Sequence, residues 1–136
     1  MSNCLFCSIV EGRIPSYPIY QDEYYLAIMD RYPCAKGHVI VLPKRHVADV
    51  YGLNQAEAAA LIPVAQKIAE KMRAELKCDG LNMLQNNGKA AGQEIEHFHL
   101  HLLPRFNGDG LRLNNAKPTD PPLDELAKCA EILRVV

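Results

Sequence analysis

The chain has little of what marks several large functional classes. Its 136 residues carry 15 Lys+Arg against 16 Asp+Glu, a formal net charge of −1. No general electrostatic field therefore draws it to nucleic acid or to an anionic membrane surface, and neither is expected as a partner. No apolar run approaches the ~20 residues that span a bilayer. No basic segment followed by a long apolar one opens the chain in the manner of a secretory leader. Repeats, low-complexity stretches and tryptophan are all missing. The five cysteines are odd in number, and Cys34, Cys78 and Cys129 stand singly, which disfavours a disulfide framework and points to a reduced, cytoplasmic protein. The length suits one domain, 1–136, with a sizeable core.

What the chain does contain is concentrated at 97–103, which reads His97-Phe98-His99-Leu100-His101-Leu102-Leu103. In a strand, neighbouring side chains point to opposite faces, so the three imidazoles share one face and the apolar residues pack on the other. A helix would turn His99 away and give the apolar residues no common face. Same-face neighbours in a strand lie about 6.5–7 Å apart, and His97 and His101 about 13 Å. A zinc–imidazole bond is only about 2.0–2.1 Å, so no single metal takes all three. Two adjacent imidazoles can converge on one phosphate and leave the third for another task.

Upstream, 86–96 forms a polar loop in which Gly88 and Gly92 allow close backbone approach to a ligand, while Asn86 and Gln93 supply hydrogen bonds without charge. Such a loop beside an imidazole ladder suits an anionic ligand. Cys4-Leu5-Phe6-Cys7 is a second constellation. By itself a C-X-X-C leaves zinc binding, redox chemistry and chance open; no thioredoxin-like βαβ pattern follows it, and a closed zinc site needs two further ligands.

Strands are expected at 17–20, 24–29, 38–42, 81–85 and 97–103, the first two joined as a hairpin. A long helix is expected over about 55–77, capped by Asn54 with Glu57 three residues on. Its buried stripe is Leu61, Ile62, Ala65, Ile68, Ala69, Met72 and Leu76. A second helix, 121–133, turns Leu123, Leu126, Ala130 and Leu133 inward. Short turns between consecutive strands indicate an α+β fold: a mainly antiparallel sheet of about five strands with one long helix and a C-terminal helix packed on it. Lys44 and Arg45 read as solvent-facing, Arg105 is the better placed to attract a phosphate tail, and His38 at a strand start reads as a polar terminus without an assigned role.

The stretch N-N-G-K-A-A-G-Q-E-I-E-H-F-H-L-H-L-L-P-R resembles the signature of the histidine triad family of nucleotide hydrolases and transferases. So do C-L-F-C-S-I-V-E-G-R-I-P, Y-Q-D-E with A-I-M-D after it, and G-H-V-I-V-L-P-K-R-H, in the same order over about 4–106. The resemblance implies that His99 is the nucleophile that attacks the α-phosphorus and carries a nucleotidyl intermediate. His101 and Gln93 would contact the phosphate, and Asn86 would orient the phosphate or ribose side. Asp30 would accept the ribose hydroxyls, and Phe6, Ile9 and Ile28 would line the pocket of a purine base. The zinc-bearing branch of the family further implies Cys4, Cys7, His46 and His97 as ligands of a structural zinc. Family members are typically homodimers, so a homodimer is expected.

Two departures qualify the resemblance. Glu94 stands where family members carry serine or threonine, and the missing tryptophan removes the C-terminal motif of the purine nucleoside phosphoramidase branch. The expectation is a nucleotide hydrolase or nucleotidyl transferase acting at the α-phosphate of dinucleoside polyphosphates or related conjugates, with phosphoramidase activity as the alternative. A nucleotide-binding regulatory module with little turnover, and a zinc-dependent interaction protein, are the competing classes.

Overall fold

The computed structural model describes residues 3–135; residues 1, 2 and 136 of the expected domain lie outside the described residues. A short helix α1, Leu5–Val10, precedes the hairpin β1, Pro18–Gln21, and β2, Tyr25–Met29. Then come β3, Val39–Pro43, the long helix α2, Gln55–Leu76, and β4, Gly80–Leu84. Strand β5, Leu100–Arg105, and helix α3, Leu123–Leu133, complete the order. The sheet runs β1-β2-β3-β5-β4 with every neighbouring pair antiparallel, as the α+β reading requires.

β2 and β3 are buried at every position, because both faces of the sheet centre are covered. Alternation divides their side chains. Tyr25, Ala27, Met29, Val39 and Val41 join Leu100, Leu102, Ile68, Met72 and Leu133 in the main core beneath α2 and α3. Leu26, Ile28, Ile40 and Leu42 face the other way and pack with Phe6 of α1. His101, paired with Ile40 across β3 and β5, belongs to this second face. The two long helices therefore leave one side of the sheet free for the histidines.

α2 begins with the expected capping box: Asn54 accepts from the Glu57 amide at 2.8 Å, and Glu57 accepts from the Asn54 amide at 2.9 Å. The helix ends one residue before the expected limit, at Leu76, where Lys77 turns left-handed with φ 56°. Its buried residues are Glu57, Val64, Ala65, Ile68 and Met72. Ile62, expected inward, is 56% exposed, as is Leu123 at the first residue of α3 with 52%. Both lie beyond the stripe that meets the sheet. Arg45 is not a free surface cation either: its guanidinium grips the buried Glu57 carboxylate at 2.7 and 3.0 Å and the Gly52 carbonyl at 2.9 Å.

The histidine strand starts later than expected, at Leu100 rather than 97. Pro43 has no N–H to extend the β3–β5 ladder, and its carbonyl accepts from His97 Nε2 at 2.8 Å. The Phe98 amide turns away to the Val47 carbonyl at 2.6 Å. α1 was not expected at all. Among the described residues no helix is long and apolar enough to cross a membrane.

Candidate active site and metal centre

Hydrogen bonding assigns each histidine a different state. His97 is fully buried. Its Nε2 faces the Pro43 carbonyl at 2.8 Å, and a carbonyl can only accept, so Nε2 carries the hydrogen. That leaves the Nδ1 lone pair aimed at two sulfurs, Cys4 Sγ at 3.3 Å and Cys7 Sγ at 3.6 Å. His46 Nδ1 approaches Cys7 Sγ at 3.2 Å. The four ligand atoms lie within 4.8 Å of one another. A tetrahedral zinc bonded at about 2.3 Å to sulfur and 2.0–2.1 Å to nitrogen separates its ligand atoms by about 3.5 Å. The observed spacings match that edge, and the Pro43 carbonyl supplies the outer hydrogen bond that orients a ligating imidazole. The donor set fits a closed zinc site. Cys4 also caps α1, accepting the Cys7 amide at 3.4 Å.

His99 is held differently. Its Nδ1 donates to the His97 carbonyl at 2.8 Å, so the neutral ring presents an unprotonated Nε2. Burial pushes its imidazole below the ordinary value, against the opposing effects of the His97 carbonyl, Asp30 and Glu94. A lone pair at Nε2 is therefore available at neutral pH. The ring packs edge-on against Phe6 at 5.0 Å and His101 at 4.9 Å between centroids.

His101 gains its state through a residue that the sequence reading left without a role. The Cys34 amide donates to His38 Nδ1 at 3.3 Å, which obliges His38 Nε2 to carry its hydrogen. That hydrogen lies between His101 Nδ1 at 2.8 Å and Asp30 Oδ2 at 3.3 Å. His101 Nδ1 thus accepts, and its hydrogen sits on Nε2, free to donate to an anion. Burial, with His38 and His99 adding to it, pushes His101 down to about 3; burial also lowers His38 and His97. Asp30, His38 and His101 could geometrically hold a cation. The Cys34 amide argues against that use, because it keeps a hydrogen on the His38 nitrogen that would have to bind. The only sequence sign of His38 was its position at the head of β3, and the β3–β5 register that brings it to His101 is a long-range fact.

The remaining expected residues divide. Phe6 and Ile28 are buried and Ile9 half-buried, in one cluster beside the histidines. Asp30 is half-buried; its Oδ1 accepts the Tyr32 amide at 2.9 Å. Asn86 reaches over the loop, its amide nitrogen 3.5 Å from the point where a side chain on Gly92 would begin; Gly92 has φ +91°. Gln93 does something other than expected. Its amide donates to the carbonyls of Ala48 at 2.7 Å and Ile95 at 3.0 Å and accepts the Gly88 amide at 2.7 Å. Both hydrogens and the oxygen are occupied, so the side chain shapes the loop and has no donor to spare for phosphate. Arg105 is likewise corrected: it binds Asp109 at 2.9 and 3.0 Å, Asn82 at 2.7 Å and the Leu111 carbonyl at 2.6 Å, which pins the loop after β5. All five cysteines are free thiols.

One sheet face thus gathers an unprotonated histidine nitrogen, a hydrogen-donating histidine, a glycine-bearing polar loop and a two-thiol, two-imidazole cluster. That combination defines the class as a histidine triad domain. The HIT-domain family model matches residues 11–108, and the chain belongs to that family. A HIT-like protein of Mycoplasma genitalium is 42% identical over 125 residues, 91% of this chain and 89% of the relative. The adenosine 5'-monophosphoramidase of Saccharomyces cerevisiae is 38% identical over 102 residues, 75% of this chain and 62% of the relative. Among solved structures, a Zn-bound histidine triad family protein from Mycobacterium smegmatis aligns with a TM-score of 0.87 at 39% identity, covering 98% of this chain and 91% of the other.

Proposed function

We propose that the protein is a nucleotide hydrolase or nucleotidyl transferase that works at the α-phosphorus through a nucleotidyl-His99 intermediate. The observation that carries this reading is the His99 Nδ1–His97 carbonyl hydrogen bond, which leaves Nε2 as a neutral nucleophile. Nε2 attacks the α-phosphorus, the P–N bond forms, and the bond to the leaving group breaks. The His101 Nε2 hydrogen donates to a non-bridging phosphate oxygen as charge develops there. Water then attacks phosphorus, the P–Nε2 bond breaks, and a nucleoside monophosphate departs with His99 neutral again. Asp30 takes the ribose hydroxyls and Asn86 the phosphate side, while Phe6, Ile9 and Ile28 wall the purine. Gln93 acts by fixing the 88–93 loop.

Dinucleoside polyphosphates and phosphoramidates share this first step and differ only in what leaves. The yeast relative's phosphoramidase name favours an amine leaving group; the missing tryptophan favours a phosphorylated one. Cys4, Cys7, His46 and His97 would hold a zinc ion that contributes folding free energy and ties the N-terminal segment to the sheet. The thiols serve that purpose only in a reducing compartment, which favours the cytoplasm. A homodimer is supported by the outer edge of β4, where Met83 is 45% exposed, and by exposed Tyr51 and Ile62.

Release of adenosine monophosphate from diadenosine polyphosphates and from an adenosine phosphoramidate tests the reading: one or both should turn over, and His99→Ala should abolish it. Turnover that survives His99→Ala refutes the mechanism. Zinc content measured in the parent and in Cys4→Ser tests the metal assignment separately.

A further inference from the structure

His97 faces two ways. Its imidazole belongs to the thiol–imidazole cluster, with Nδ1 at 3.3 and 3.6 Å from the two sulfurs. Its backbone carbonyl accepts the Nδ1 hydrogen of His99 at 2.8 Å. The other cluster members reach the same neighbourhood. Cys4 and Cys7 bracket Phe6, whose ring meets His97 at 5.8 Å and His99 at 5.0 Å. His46 precedes Val47, whose carbonyl holds the Phe98 amide at 2.6 Å between the two histidines. Ala48, one residue further, accepts from Gln93, which shapes the phosphate-side loop. Each ligand is therefore one or two residues from a group that touches the nucleophile or its loop.

The local structure depends on these contacts for another reason. α1 has six residues, far below the ~12–15 at which an isolated helix becomes even marginal in water. Its N-terminus is capped by the Cys4 sulfur, itself a cluster member. The main core, by contrast, draws its buried residues from β1, β2, β3, β5, α2 and α3, such as Ile19, Tyr25, Val41, Ile68, Leu102 and Leu133, and none from α1 or the cluster. The main core thus lies apart from the cluster, whereas α1 meets the sheet through Phe6 in the smaller second apolar cluster and through the cluster members Cys4 and Cys7 at its start.

We propose that the metal centre is the positioning device of the nucleophile. Holding Cys4, Cys7, His46 and His97 together fixes the ring plane and Nδ1–H tautomer of His99 and docks Phe6 as the wall of the base pocket. Metal occupancy then controls nucleotide binding while the sheet persists. This rests on the zinc assignment made above.

The test compares the zinc-saturated full chain with the same chain after chelation. Zinc per chain, backbone amide exchange, histidine ring-nitrogen NMR with His99 identified through His99→Ala, and calorimetric affinity for adenosine monophosphate are measured on both. Removing zinc is expected to leave the Val41 and Leu102 amides protected and to unprotect α1. His99 should then change from a single Nδ1–H tautomer to an averaged one, and affinity should weaken by about tenfold or more, the scale of one lost hydrogen bond and its wall. Unchanged His99 signals and affinity after zinc removal overturn the coupling and leave the zinc assignment standing. Loss of protection throughout the sheet also overturns it, because the metal would then support the whole fold. A parent protein that takes up no zinc overturns both.

Discussion

Acidification from pH 7 to pH 5 should weaken the fold through histidines held neutral, and His101 sets the scale. Burial, His38 and His99 hold it at about 3, against about 6.5 in an unfolded chain. A base depressed in the folded state is protonated first in the unfolded one. Between these values the unfolded chain binds the extra proton, so stability is lost as pH falls. Integrating over that interval, His101 alone removes about 2 kcal/mol at pH 5 and only about 0.2 kcal/mol at pH 7. The window lies above the carboxylate range: Glu57 and Asp109 are held low by Arg45 and Arg105 and stay ionised throughout it. Urea unfolding of the parent and of His101→Gln between pH 5 and 7 reads the effect. The parent's stability should fall more steeply than the variant's by about 1.3 kcal/mol per pH unit near pH 5. His38, His97 and His99 remain in both proteins and largely cancel. Parallel lines for parent and variant would refute the assignment of a neutral, half-buried His101.

His38→Asn should lower kcat by about 10- to 100-fold with a smaller change in KM, since His101 is then free to place its hydrogen on the wrong nitrogen. His38→Gln, which can still donate to His101 Nδ1, should recover part of that loss in steady-state kinetics. Gln93→Ala leaves the Ala48 and Ile95 carbonyls and the Gly88 amide without their partner; urea unfolding should register about 2–3 kcal/mol, and KM should rise as the loop loosens. Arg105→Ala should cost stability but leave kcat/KM within about twofold, because its guanidinium is already committed to Asp109, Asn82 and Leu111. A large loss of kcat/KM in that variant would restore a direct phosphate contact.

The features legible in the sequence were those encoded locally. The apolar runs of β2 and β3 and the Asn54–Glu57 box each express a short-range periodicity or cap, and each formed nearly where expected, whereas of the alternating histidines only His101 lies within its strand. The ligand set came from a family resemblance, and the fold brings the ligand atoms of Cys4, Cys7, His46 and His97 within 4.8 Å of one another. What stayed hidden depended on distant chain segments meeting. His38 acquires a role only when the β3–β5 register brings it to His101. Arg45 and Arg105 looked like free cations because their carboxylate partners, Glu57 and Asp109, are identified only by packing and loop closure. Gln93 looked like a ligand contact because its amide could serve either role; three backbone groups claim it. α1 has no helical periodicity in its six residues and forms where Cys4 caps it.

The most direct test of the central claim is intact-protein mass spectrometry after rapid mixing with diadenosine polyphosphate or adenosine phosphoramidate, followed by peptide mapping. One acid-labile adenosine monophosphate adduct per chain is expected on His99, formed and lost at rates that match turnover and missing in His99→Ala. Turnover with no adduct, or an adduct on another residue that persists in His99→Ala, would contradict the claim.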